Sequence, residues 1–247
     1  MRVLITGATD GLGRRVAELL SERGDEVIVH GRSPEKVDEV AGEIGAAGAH
    51  VADLASLDEV RRLADEARSE QLDALINNAG IASAERRESA DGHELTFAVN
   101  YLSHFPLTLE LMPPRIVNVA SIGQRAIDFD DVMLERGYDG FRAYAQSKLA
   151  QIMFTFELAE RSEASVDALH PATLMDTRMV RESFGRSQST VEEGAEAVIG
   201  LVDDRGGGGR YFDGMAESRA QPQAYDPEAR RRLWELSEEL TGARLRA

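Results

Sequence analysis

The chain alternates short, unbroken apolar runs with longer segments in which apolar residues recur every three or four positions. The runs are RVLIT (2–6), EVIVH (26–30), HVADL (50–54), ALINNA (74–79), RIVNVAS (115–121), VDALHP (166–171) and RYFDG (210–214). Rich in Val, Ile and Leu and too short for helices, they predict about seven strands. Runs without polar alternation imply strands covered on both faces, hence a parallel sheet between two helical layers. The intervening patterns supply those helices. GRRVAELLSERG (13–24) ends on Gly24 as a helix stop, and SLDEVRRLADEARSE (56–70) opens on Ser56 with Glu59 three residues later, a capping box. The expected architecture is an α/β, three-layer, Rossmann-type doubly wound sheet in one domain spanning residues 1–247. No repeat at solenoid period divides the chain, and DRGGGGR (204–210) reads as a flexible surface connection.

A chain of 247 residues, 43% hydrophobic, can bury a full core. Its 44 acidic and 28 basic residues leave a formal charge of -16, which argues against nucleic acid or an anionic membrane as partner. Cysteine is absent, and the five histidines show no HExxH-like spacing, so no metal site is expected. MRVLITG runs straight into a strand without the layout of a signal peptide, and no apolar window approaches the roughly 18 residues of a membrane span. A cytoplasmic protein is the simplest expectation.

Ligands of such sheets sit beyond the carboxyl ends of the strands. Directly after the first strand, TGATDGLG places Gly7, Gly11 and Gly13 before an amphipathic helix. Glycines there allow a tight turn and a close approach to a pyrophosphate, whose charge the helix N-terminus meets. The second strand leads into GRSPEK, with Arg32 and no acid, which favours NADP(H) over NAD(H) through a 2′-phosphate. Asp10, inside the turn, pulls the other way. In AYAQSKLAQ, Tyr144 and Lys148 are four apart and share one helix face, where the ammonium can lower the phenol's proton affinity.

Together TGATDGLG, Asp53 in VADL, NNAG (77–80), Asn100 in AVNYLSHF, Ser121 in VNVAS, YAQSK and HPATLMDT resemble the short-chain dehydrogenases/reductases across essentially the whole chain. DGHELTFAVNYLSHFPLT and IDFDDVMLERGYDGFRAYAQSKLAQ are most similar to the retinol-dehydrogenase-like branch and its bacterial relatives, some of which reduce ketones in polyketide pathways. Two departures stand out: Pro171-Ala172 replaces the usual Pro-Gly, and the link MPP before the fifth strand is short.

The resemblance implies an oxidoreductase that moves a hydride between NADP(H) and a carbonyl or alcohol. Tyr144 would be the general acid or base, Lys148 its tuner and a ligand of the nicotinamide ribose, Ser121 a donor to the substrate oxygen, and Asn100 the holder of a relay water. Gly7, Thr9, Asp10, Gly11, Leu12 and Gly13 would line the pyrophosphate and nicotinamide side. Arg32 would meet the adenosine phosphate, and Asp53 and Leu54 the adenine. Asn78, Ala79 and Gly80 would pack on the adenine ribose, and Pro171 and Thr177 would reach the carboxamide. A substrate lid is expected near 178–190, with Met175, Met179, Phe184 and Phe141 as apolar lining. Relatives pair through the helices carrying Asn100 and Tyr144, so a homodimer or homotetramer is in view. The competing class is a non-redox dinucleotide-binding regulator or scaffold, which would have no reason to keep Asn100, Ser121, Tyr144 and Lys148 together. An epimerase or dehydratase would need a longer substrate domain.

Overall fold

The computed structural model describes residues 1–173, 175–176, 188–204 and 206–245. Its strands are β1 (Arg2–Ile5), β2 (Glu26–Gly31), β3 (Gly48–Val51), β4 (Ala74–Asn77), β5 (Arg115–Val119), β6 (Ser165–His170), β7 (Arg210–Asp213) and β8 (Ala216–Ser218). They form one sheet in the order β3-β2-β1-β4-β5-β6-β7-β8. All neighbours are parallel except β7 and β8, which close an antiparallel hairpin. The sequence reading of about seven strands thus misses only β8, whose short AES run carries no apolar signal.

Between the strands lie α1 (Gly11–Glu22), α2 (Pro34–Ile44), α3 (Leu57–Ala67), α4 (Leu95–Phe97), α5 (His104–Leu111), α6 (Gly140–Arg161), α7 (Val191–Asp203) and α8 (Pro227–Thr241). Their ends follow from local chemistry. Ser33 caps α2 ahead of Pro34, and Gly45, at φ +62°, stops it. Thr190 and Glu193 close a reciprocal capping box on α7. The box expected on α3 is only half formed. Ser56 Oγ accepts from Glu59 N, but Ser56 N donates to Asp53 O, so the Glu59 carboxylate turns to Asp53 N at 2.7 Å.

Alternate residues of each strand enter opposite cores. Leu4, Ile28, Leu75, Ile116 and Ala168 face α5, α6 and α8, while Val3, Ile5, Val29, Ile76, Val117 and Leu169 face α1 and α7. Burial on both faces accounts for the unbroken apolar runs. On the first face, Trp234 of α8 lies edge-on to Phe105 and stacks on Phe154, while Tyr101 hydroxyl meets Ser237 Oγ at 2.7 Å. The helices through which copies were expected to pair therefore have this face covered by α8. The glycine-rich connection is packed as well: a Cβ on Gly208 would strike the Val166 backbone, and Gly209 N donates to Val166 O. Among the described residues, no helix is long and apolar enough to cross a membrane, and no cluster of metal-ligating side chains occurs.

Candidate active site

Strand ends β1, β4, β5 and β6 present their loops on one edge of the sheet, and the residues singled out above gather there. After β1 the chain turns through Gly7 at φ +66° and Gly11 at φ +51°, where other residues would be strained. Asp10 caps α1, its side chain accepting from Gly11 N at 2.8 Å. A Cβ on Gly13 would collide with Gly7 O and Asn78 Nδ2, so only glycine lets the helix come this close. The first-turn amides of Leu12 and Gly13 have no intrahelical acceptor and remain available to an anion. The turn has the form that a dinucleotide pyrophosphate requires, and Thr9 packs against Gly31 at the tip of β2.

The turn is braced from beneath. Asn78 Nδ2 donates to Thr6 O at 2.8 Å and to Gly7 O at 3.2 Å. Its side chain, expected on the adenine ribose, instead clamps β4 to the turn. His30 is buried: its Nδ1 accepts from Gly7 N at 3.2 Å and its Nε2 faces Ala52 O at 3.1 Å. Burial pushes His30 down to about 4, so it is a neutral strut at ordinary pH. Leu54 is buried among Ala52, Val60 and Leu63, leaving only its backbone to face an adenine. Asp53 stays exposed, with Oδ1 accepting from Ala55 N. Arg32 is exposed and has no ion-pair or hydrogen-bond partner among the described residues, whereas Arg14 and Arg15 are engaged by glutamates.

Ser121 follows β5, and Tyr144 and Lys148 lie one turn apart on α6. The Tyr144 phenol lies close enough to the Ser121 side chain for Ser121 to favour its ionised form, against the larger effect of burial. Ser121 Oγ also accepts from Gly123 N at 3.0 Å, which orients it. Lys148 Nζ stands 5.7 Å from the Tyr144 ring centre and donates to Val119 O at 2.8 Å and Gln151 Oε1 at 2.9 Å. Burial dominates both titrations. It raises Tyr144 above its ordinary value and pushes Lys148 down to about 7. The lowering expected for the phenol is therefore not produced by the protein alone, because desolvation is the dominant influence on it.

Gly80 leaves the ground before Lys148 uncovered: a Cβ there would stand 3.5 Å from Nζ and 3.4 Å from Asn100 Oδ1. Asn100 sits in a π-turn, Ala98–Leu102. Its side chain is fully committed, accepting from Ile81 N at 2.8 Å and donating to Ile81 O at 3.0 Å and Ser147 Oγ at 2.9 Å. The expected relay water could thus be held only by its main-chain carbonyl, which already accepts from His104 Nδ1 at 3.0 Å.

Pro171 is buried after β6, near Leu12 and Met175 around Gly194. Phe141 is 55% exposed, a side chain available to a ligand rather than part of the core. Thr177, Met179, Phe184 and most of the expected lid at 178–190 lie outside the described residues. A cleft of about 300 Å³ opens instead on the other side of Ser121, lined by Ile122, Gln124, Tyr211, Asp213, Arg219 and Gln221. Tyr211 hydroxyl anchors this wall by donating to Ser121 O at 3.1 Å. Sequence reasoning missed the cleft, because its residues are scattered over the loop after β5 and the β7–β8 hairpin. It also missed Thr6, His30 and His104, for which the only signal was a polar residue inside or beside an apolar run.

Comparison with known proteins agrees with this geometry. The family model described as short chain dehydrogenase matches residues 1–187. Retinol dehydrogenase 13 of Mus musculus is 34% identical, the alignment covering 97% of this chain and 83% of that protein. A crystal structure of a protein from Mycobacterium paratuberculosis superposes with a TM-score of 0.84 at 30% identity, covering 100% of this chain and 95% of the other. The Pseudomonas aeruginosa RhlG/NADP active-site complex gives a TM-score of 0.70 at 26% identity, covering 86% of this chain and 93% of that one.

Proposed function

The chain belongs to the short-chain dehydrogenase family, and on that premise we propose that it is an NADP(H)-dependent oxidoreductase acting on a carbonyl or alcohol of an apolar, small to mid-sized substrate. The observation that carries the reading is the gathering of Ser121, Tyr144 and a buried Lys148, whose Nζ lies 5.7 Å from the Tyr144 ring centre, at the strand edge that also bears the glycine turn. Bound there, the nicotinamide supplies or accepts the hydride. Gly7, Gly11, Leu12 and Gly13 would hold the pyrophosphate, Lys148 a ribose hydroxyl across Gly80, and Arg32 the 2′-phosphate. An unpaired arginine on a chain of charge -16 supports that last role, since most of its acidic surface would repel a free phosphate.

In reduction Tyr144 gives its phenolic proton to the carbonyl oxygen while Ser121 Oγ donates to the same atom as negative charge develops. Burial, by keeping the phenol protonated, suits it to that task. In oxidation the phenolate removes the proton, and Lys148, when cationic, stabilises it. Among the described residues that cation meets no carboxylate, only the oxygens of Val119 and Gln151, so the anions of a bound dinucleotide would favour its charged form. The retinol dehydrogenases among its relatives make apolar alcohols and aldehydes the first compounds to try.

The test follows the absorbance of reduced nicotinamide with panels of ketones, aldehydes and alcohols and with both cofactors. Tyr144→Phe is expected to reduce kcat by about 10²–10⁴-fold. Undiminished turnover would remove Tyr144 from the mechanism. Arg32→Ala should weaken NADPH about tenfold or more while leaving NADH nearly unchanged; equal losses would refute the phosphate contact.

A further inference from the structure

His104, on the first turn of α5, has no part in the mechanism above, yet it is fully enclosed and both its ring nitrogens are engaged. Nδ1 lies 3.0 Å from Asn100 O, and Nε2 lies 3.0 Å from Thr6 Oγ1. A carbonyl can only accept, so Nδ1 carries the hydrogen and Nε2 the lone pair. Thr6 Oγ1 must then donate to Nε2, which leaves its lone pairs for Asn78 N at 2.9 Å and Ala79 N at 3.0 Å. Every donor in the chain finds an acceptor, in one direction only: Asn78 and Ala79 amides, Thr6 hydroxyl, His104 ring, Asn100 carbonyl.

We propose that His104 is a positioning residue that ties the cofactor-binding side of the site, through Thr6, to the proton-relay side, through the Asn100 carbonyl. The two halves come from segments far apart in sequence, the end of β1 and the π-turn Ala98–Leu102, and no backbone ladder joins Asn100 to β1. Through Thr6 the ring steadies the loop after β4, whose Asn78 grips the glycine turn. Through Nδ1 it aims the one Asn100 acceptor not consumed by the side-chain clamp on Ile81. Burial holds the ring neutral, pushed down to about 3, so the arrangement does not change sign in the working pH range. This inference rests on the oxidoreductase reading for its catalytic arm, but its binding arm needs only the dinucleotide.

Two substitutions separate the arms. In His104→Asn the amide nitrogen takes the place of Nδ1 and keeps the bond to Asn100 O, while Thr6 Oγ1 loses its acceptor at 3.0 Å and is left with only the longer contact to Ile76 O at 3.4 Å. In His104→Gln the amide reaches Thr6, and Asn100 O loses its donor. Calorimetric titration with NADPH is expected to show Kd weakened about tenfold in His104→Asn and little changed in His104→Gln, the size of one buried hydrogen bond. Steady-state kinetics are expected to show the converse, kcat falling about tenfold in His104→Gln with a displaced pH profile, the loss in His104→Asn falling on the cofactor KM.

If His104 only fills space, both variants lose Kd and kcat together in proportion to the folded fraction; that result, wild-type constants in both, or a reversed pattern overturns the proposal. Should the variants fail to fold, Thr6→Val is expected to weaken NADPH binding and Thr6→Ser to restore it, and nitrogen-15 spectra of the wild-type ring must show the Nδ1–H tautomer. An Nε2–H ring or an indifferent Thr6→Val sinks the idea. A wild-type protein that binds NADPH but turns over no carbonyl would defeat the oxidoreductase reading and leave the titrations to judge His104.

Discussion

Burial and chemistry pull in opposite directions at Lys148. In the unfolded chain its amine titrates at its ordinary 10.5, and in the folded, cofactor-free protein at about 7. Between these values the unfolded state binds the extra proton, so stability rises with pH across that window; below about 7 both states are charged and folding bears the full cost of enclosing the cation. Lys148→Met removes this slope. Denaturation curves from about pH 7 to pH 10 should therefore show wild type gaining roughly 3–5 kcal/mol on the variant; parallel curves would mean that Nζ is solvated. The identity of this residue was readable from its spacing to Tyr144, whereas its depressed proton affinity was not. That property depends on burial beside Val119 and the sheet beneath, which lie far from it along the chain. Asn78 teaches the same lesson. Its motif marks it as important, but only the folded chain shows that its amide holds the glycine turn.

At the scale of elements, the tightest constraint is the crossing of α1 over β4. Gly13 passes so near Gly7 and Asn78 that a methyl group must push either the turn or the strand end aside. Gly13→Ala is expected to lower stability by roughly 1–3 kcal/mol and to abolish measurable NADPH binding. Thermal melts alongside a cofactor titration check both, and wild-type affinity would show that the turn can yield. Most strands could be placed from unbroken apolar runs, because burial on both faces writes the same pattern into each. The exceptions have physical causes. HVADL suggested a strand at 50–54, but β3 is Gly48–Val51 at the sheet's edge, where Gly48 and Ala49 pair with Ile28 and Val29. There pairing, not hydrophobicity, sets the limits. The hairpin strand β8 is polar and exposed, so only its partner β7 reveals it.

For the molecule as a whole, α8 decides what the outer face of α5 and α6 can do. Trp234, also covered by the Arg161 guanidinium at 4.6 Å, fills the seam between these helices. Trp234→Ala should cost about 3–5 kcal/mol, read from denaturant unfolding, and a loss under 1 kcal/mol would mean that α8 is only loosely docked. The strand order carries a different consequence. β1 is central, yet its two neighbours, β2 and β4, are separated by more than forty residues of chain. During synthesis β1, α1 and β2 can assemble first, leaving one side of Arg2–Ile5 an open row of amides and carbonyls until Ala74–Asn77 arrives. A strand whose Val3, Leu4 and Ile5 are wholly enclosed in the finished protein is thus, for a stretch of its birth, in need of protection from its neighbours on the polysome.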